Sequence, residues 1–111
     1  MKSEKERVKR LIVKHCEKRC RSGVITWIRA GMNSERIQVS VDTCYKVGNP
    51  DLLKLNEKLG PLEDALRALF PPRKADVDIW PEAKNKKNRM PTKHFSIRKL
   101  EIFDLPLSQT E

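Results

Sequence analysis

The sequence predicts a two-layer α+β domain, with elements in the order α-β-β-α-α-β and room for an extra strand at the C-terminal end. Three observations predict it. Apolar residues recur at three- and four-residue spacing over residues 3–21, which marks an amphipathic helix. Residues 36–45 alternate between apolar and polar, which marks a strand with one buried face. Between Pro50 and Pro71 the leucines fall in two helical rows. A chain of 111 residues suits one domain and can bury a core. The domain is therefore expected to span residues 1–105, with a basic loop at 84–94 and a flexible tail at 106–111.

In the first helix, Val8, Leu11, Ile12, Cys16 and Cys20 share the apolar face. At 100° per residue, Arg7, Arg10, Lys14, Lys18 and Arg21 fall opposite. Ser3 with Glu6 fits a capping box, and Gly23 fits a C-terminal stop. Residues 24–30 read as a first strand and 36–45 as a second. Gly31-Met32-Asn33-Ser34 supplies the turn of an antiparallel hairpin. Ile37, Val39, Val41 and Tyr45 share one face of the second strand; Arg36, Gln38, Ser40 and Asp42 share the other.

Asn49-Pro50 opens the helical region as cap and first position. Leu52, Leu55 and Leu59 form one row. Gly60-Pro61 interrupts it, Leu62, Ala65, Leu66 and Leu69 form the next, and Pro71-Pro72 ends it. This reads as two short helices or one kinked helix, with both rows in the core. Over 75–80, Val77 and Ile79 alternate with Asp76 and Asp78, and Pro81 closes the strand. Residues 95–103 read as a last strand of open register, because Phe95 and Ile97 are out of phase with Leu100 and Ile102.

This order of elements is similar to that of a type II K-homology fold, a likeness of topology. Such domains hold nucleic acid at a G-x-x-G turn between two central helices. The corresponding junction here is Lys58-Leu59-Gly60-Pro61, with one glycine, and with proline where a backbone N–H would serve. A ferredoxin-like arrangement is the other two-layer option.

The charge is clustered. Residues 1–21 carry nine Lys/Arg against three Glu, a net +6, and residues 84–99 carry seven Lys/Arg and no acid. The stretch between them is close to neutral, and the whole chain is +9. Two basic poles around a neutral middle suit a surface that meets phosphate. Lys84, Lys86, Lys87, Arg89 and Lys93 are the first candidates, with Asn85, Asn88 and Thr92 as supporting hydrogen-bonding groups. The helical stripe of Arg7, Arg10, Lys14, Lys18 and Arg21 is the second set. Cations in such numbers give salt-sensitive binding with little sequence choice. Trp27 and Trp80 lie in strands, where packing is the expected role and base stacking the alternative.

Two chemical patterns carry less. Pro50-Asp51 with Glu82-Ala83-Lys84 matches a bare P-D…E-x-K pattern of Mg²⁺-dependent nucleases, yet Asp51 fits the first turn of a helix, where an acid complements the dipole. His15, Cys16, Cys20 and Cys44 lack a C-x-x-C knuckle, so free, buried thiols are expected rather than zinc. No cofactor is expected.

No apolar run is long enough to span a membrane, and no apolar segment follows the basic N-terminus as a signal peptide requires. Three cysteines suit a reduced, intracellular setting, cytoplasmic or nuclear. The expected function is a non-enzymatic nucleic-acid-binding module, RNA ahead of DNA. An adaptor for an acidic protein and a small nuclease are the alternatives.

Overall fold

The computed structural model describes residues 3–82 and 99–105. Helix α1 spans Glu4–Arg21, and the Ser3 hydroxyl accepts from the Glu6 N–H at 3.2 Å. Glu4 and Glu6 in the first turn, and Lys18, Arg19 and Arg21 in the last, complement the helix dipole. Gly23 then takes a φ of 84°, a left-handed turn that glycine adopts without penalty.

Strands β1 (Ile25–Met32) and β2 (Arg36–Thr43) form the antiparallel hairpin. The turn lies later than expected. Gly31 and Met32 still pair with Gln38 and Ile37, and the chain reverses at Asn33. The Asn33 side-chain oxygen accepts from the N–H groups of Glu35 and Arg36, both at 2.8 Å, so an Asx turn fixes the reversal. β2 also ends earlier, leaving Tyr45 beyond the strand.

Helices α2 (Asp51–Lys58) and α3 (Gly60–Arg67) are two separate short helices joined at Leu59. α2 starts one residue later than the sequence suggests, with the Asn49 side chain accepting from the Asp51 N–H at 2.8 Å. Leu59 is 1% exposed, so the junction is a packed corner. It is not the open turn that a G-x-x-G contact would use.

Strands β3 (Lys74–Trp80) and β4 (Glu101–Leu105) complete a four-stranded sheet in the order β3-β2-β1-β4. β1 is antiparallel to β2 and β4, and β2 is parallel to β3. The expected last strand at 95–103 is displaced: residues 95–98 lie outside those described, and the strand runs to Leu105. Its register is set by Phe103 and Leu105, which pair with Ala30 and Ile28 and turn inward, while Ile102 turns out.

The helices meet one face of the sheet. Val8, Ile12, Cys16, Ile28, Ile37, Val39, Val41, Leu62 and Leu66 are all fully buried there. Leu11 packs on this cluster, only partly buried. The alternation of β2 thus places Ile37, Val39 and Val41 as expected.

By register, the second face of the sheet carries Trp27, Arg29, Gln38, Ser40, Asp42, Asp76, Asp78, Trp80 and Asp104. Both tryptophans are half-buried on this face and lie outside the core between sheet and helices. Gln38 and Ser40, expected toward water, are buried on β2, an inner strand. Arg29 pairs with Asp104 at 2.8 Å, Arg36 with Asp76 at 2.6 Å, and Gln38 donates to Asp78 at 3.0 Å.

α3 reaches the outer side of edge strand β3. Its Glu63 carboxylate accepts from the Val77 N–H at 2.9 Å, and Arg67 Nε donates to the Ala75 carbonyl at 3.1 Å. Glu63 and Arg67 are one turn apart and pair at 3.2 Å. Among the described residues, no helix is long and apolar enough to cross a membrane.

Candidate nucleic-acid interface

α1 turns a basic face away from the core, because Val8, Ile12, Cys16 and Cys20 occupy the buried side. The five arginines and lysines predicted for this face separate into two kinds. Arg7 is half-buried and donates from Nη2 to the Phe70 carbonyl at 2.9 Å. Arg21 pairs with Glu17, one turn earlier. Arg10, Lys14 and Lys18 are exposed, and none makes an ion pair with another described residue.

These three form an i, i+4, i+8 row, spaced about 6 Å apart at a rise of about 1.5 Å per residue. The other arginines of the described residues are engaged. Arg29, Arg36, Arg67 and Arg73 hold carboxylates, and Arg19 donates to the His15 carbonyl at 3.3 Å. On the flank toward β4, Lys5 pairs with Glu101, and Lys5 and Lys9 stand over the Phe103 ring at 5.1 and 5.5 Å. The other flank meets the connection between α3 and β3. There Glu4 pairs with Arg73, and Arg7 reaches Phe70. Phe70 itself is 79% exposed.

The second predicted set, Lys84, Lys86, Lys87, Arg89 and Lys93, lies outside the described residues. So do Asn85, Asn88 and Thr92. The chain leads toward them from Trp80 through Pro81 and Glu82, whose N–H donates to the Tyr45 carbonyl at 2.6 Å.

A shallow groove of about 800 Å³ opens between the β1–β2 turn and the start of β3. Arg36, Arg67 and Arg73 line it, but each already faces a carboxylate: Asp76, Glu63 with Asp64, and Glu4 respectively. Lys74 lines the groove as well and makes no ion pair with another described residue, so the groove offers one unmatched cation where α1 offers a row of three.

The nuclease pattern is not assembled on neighbouring strands. Asp51 opens α2 and lies 3.8 Å from Lys54, while Glu82 follows β3 and Lys84 is beyond the described residues. Asp76 and Asp78, a second pair of carboxylates, hold Arg36 and Gln38. Among the described residues, no group of three or more His, Cys, Asp or Glu could hold a metal ion.

The thiols differ from one another. Cys16 and Cys20 are buried and free, but Cys44, expected to be buried, is exposed because β2 ends at Thr43. Burial pushes the Cys16 thiol up to about 12 and the Cys20 thiol up to about 11. Unfolding releases both thiols to their ordinary value near 9. Their contribution to stability is thus complete below pH 9 and is lost as the pH rises toward the folded values. A thiol reagent at neutral pH is expected to label Cys44 in the folded chain, with Cys16 and Cys20 labelled only after denaturation. Rapid labelling of all three in the folded chain would contradict their burial.

Comparison with family models, with curated proteins and with solved structures found no match.

Sequence reasoning missed Phe70. The residue follows the Leu62/Leu66/Leu69 row and precedes Pro71-Pro72, so it reads as the frayed end of a core helix. The available signal was its place just beyond α3, where the helical row no longer dictates which way a side chain points.

Proposed function

We propose that this chain is a nucleic-acid-binding accessory module that holds its ligand mainly through phosphate and performs no catalytic step. The observation that carries this reading is the row of Arg10, Lys14 and Lys18 on the outer face of α1. Cations already matched by carboxylates have little field left to offer, whereas an unmatched row retains its attraction for an anionic polymer. Arginine adds a planar fork of donors, and lysine a mobile point charge. The cations of the 84–93 segment extend the same chemistry along the chain. RNA is put ahead of DNA in this proposal only on the likeness of element order to a type II K-homology fold, whose own contact turn is replaced here by the packed corner at Leu59.

A salt series with single-stranded RNA, duplex RNA and duplex DNA tests the reading. The logarithm of the binding constant is expected to fall linearly with the logarithm of salt concentration, and with little dependence on base sequence. Absence of binding to all three at low salt, together with binding to a Glu/Asp-rich peptide, would replace this reading with an adaptor for an acidic protein. Mg²⁺-dependent cleavage abolished by Asp51→Ala or Glu82→Ala would replace it with a nuclease.

A further inference from the structure

We infer that Phe70 is a base-stacking platform beside the cation row of α1, so that the ligand of this surface is a strand with unpaired bases. This assignment rests on the nucleic-acid reading and adds a residue and a strand type to it. The ring is 79% exposed, while its backbone is held in place. Arg7 grips the Phe70 carbonyl at 2.9 Å, Leu69 packs on the core, and Pro71 and Pro72 fix φ at the next two positions. The ring thus stands out from a braced backbone.

Its position is set by Arg7. On α1, Arg7 and Lys14 are seven residues apart and fall on nearly one line along the helix, with Arg10 and Lys18 on either side. A strand whose phosphates follow Lys18, Lys14 and Arg10 toward the start of α1 is therefore led to the Arg7 end of the helix, where Phe70 stands. Unpaired bases offer a flat face to stack on such a ring, and duplex bases are already stacked inside.

The other described aromatics do not serve this surface. Trp27 and Trp80 lie on the far face of the sheet, where Arg29, Arg36 and Lys74 stand among the four carboxylates of Asp42, Asp76, Asp78 and Asp104. Phe103 is buried beneath Lys5 and Lys9. Tyr45 is half-buried beyond the end of β2.

The test compares the full chain with its Phe70→Ala variant, by fluorescence anisotropy on an unstructured RNA strand and on a duplex of the same length. The variant is expected to bind the strand about 5- to 160-fold more weakly, the span that losing one stacked base gives, and to bind the duplex unchanged. Phe70→Trp is expected to restore strand binding. Equal affinity of variant and wild type for the strand, or equal losses on strand and duplex, overturns the assignment while leaving phosphate binding in place. If the wild-type chain binds neither nucleic acid, the assignment and the functional reading fall together. Loss of binding to a Glu/Asp-rich peptide on Phe70→Ala, with no effect on RNA, would give the ring to an acidic protein instead.

Discussion

Leu59→Ala is expected to lower the stability of the domain by about 2–5 kcal/mol. Leu59 joins α2 to α3, and its side chain is 1% exposed. Its backbone, at φ −93° and ψ 4°, is open to alanine, so the loss comes from the emptied space rather than from strain. The side chain belongs to the same core as Leu55, Leu62 and Leu66, and a dense interior closes such a gap only in part. Against a total of about 5–15 kcal/mol for a domain, this is a large fraction. Thermal unfolding should show a midpoint lowered by about 8–20 °C, and denaturant unfolding a lower midpoint at unchanged slope. Leu53→Ala provides the contrast. Leu53 is 72% exposed, and its loss should stay within about 0.5 kcal/mol. A similar effect at both positions would refute the packed corner at Leu59.

The second large effect is on binding. Replacing Arg10, Lys14 and Lys18 together by glutamine should flatten the salt dependence by about 2.7 for duplex DNA, or about 2.1 for a single strand, if each contacts one phosphate. Between 50 and 200 mM salt, that slope corresponds to about 40-fold of the wild-type loss in affinity on a duplex and about 18-fold on a strand. The side chains are exposed and unpaired among the described residues, so folding should be unaffected, and an unchanged thermal midpoint would confirm it. The companion variant neutralises Lys84, Lys86, Lys87, Arg89 and Lys93. A slope that responds to the companion alone would move the phosphate contacts from α1 to the 84–93 segment.

α1 was legible in the sequence because five apolar residues at helical spacing over more than three turns leave one reading, and the strict alternation of β2 does the same for Ile37, Val39 and Val41. The turn was placed too early because Gly31 resembles a turn residue. The competing signal, an Asn33 side chain bonding two N–H groups ahead, is local but weaker in the sequence. The position of Trp80 follows from parity, since it shares its side of β3 with Asp76 and Asp78. Trp27 escapes that parity. A register shift between Ile25 and Trp27 lets Ile25 and Ile28 both face the core, an odd spacing that alternation cannot generate. Within the candidate site, the basic stripe was visible and its matched members were only half so. The Glu17–Arg21 pair is one helical turn apart and readable in advance. Arg7 finds its partner 63 residues away, a contact that exists only once α3 and its following loop have packed.

The hydrogen bonds from α3 to the rim of β3 have a consequence for how copies of this chain behave toward one another. A bare outermost strand is a template on which a second polypeptide can add by main-chain pairing, the usual start of sheet-to-sheet aggregation. Here Glu63 occupies the outward N–H of Val77, and Arg67 the outward carbonyl of Ala75. An incoming strand would have to displace both, along with the ion pair that joins them. On that side the sheet is terminated by side chains of its own helix. A strand arriving at this rim must compete with the chain's own helix, which leaves the outer side of β4 as the other edge of the sheet.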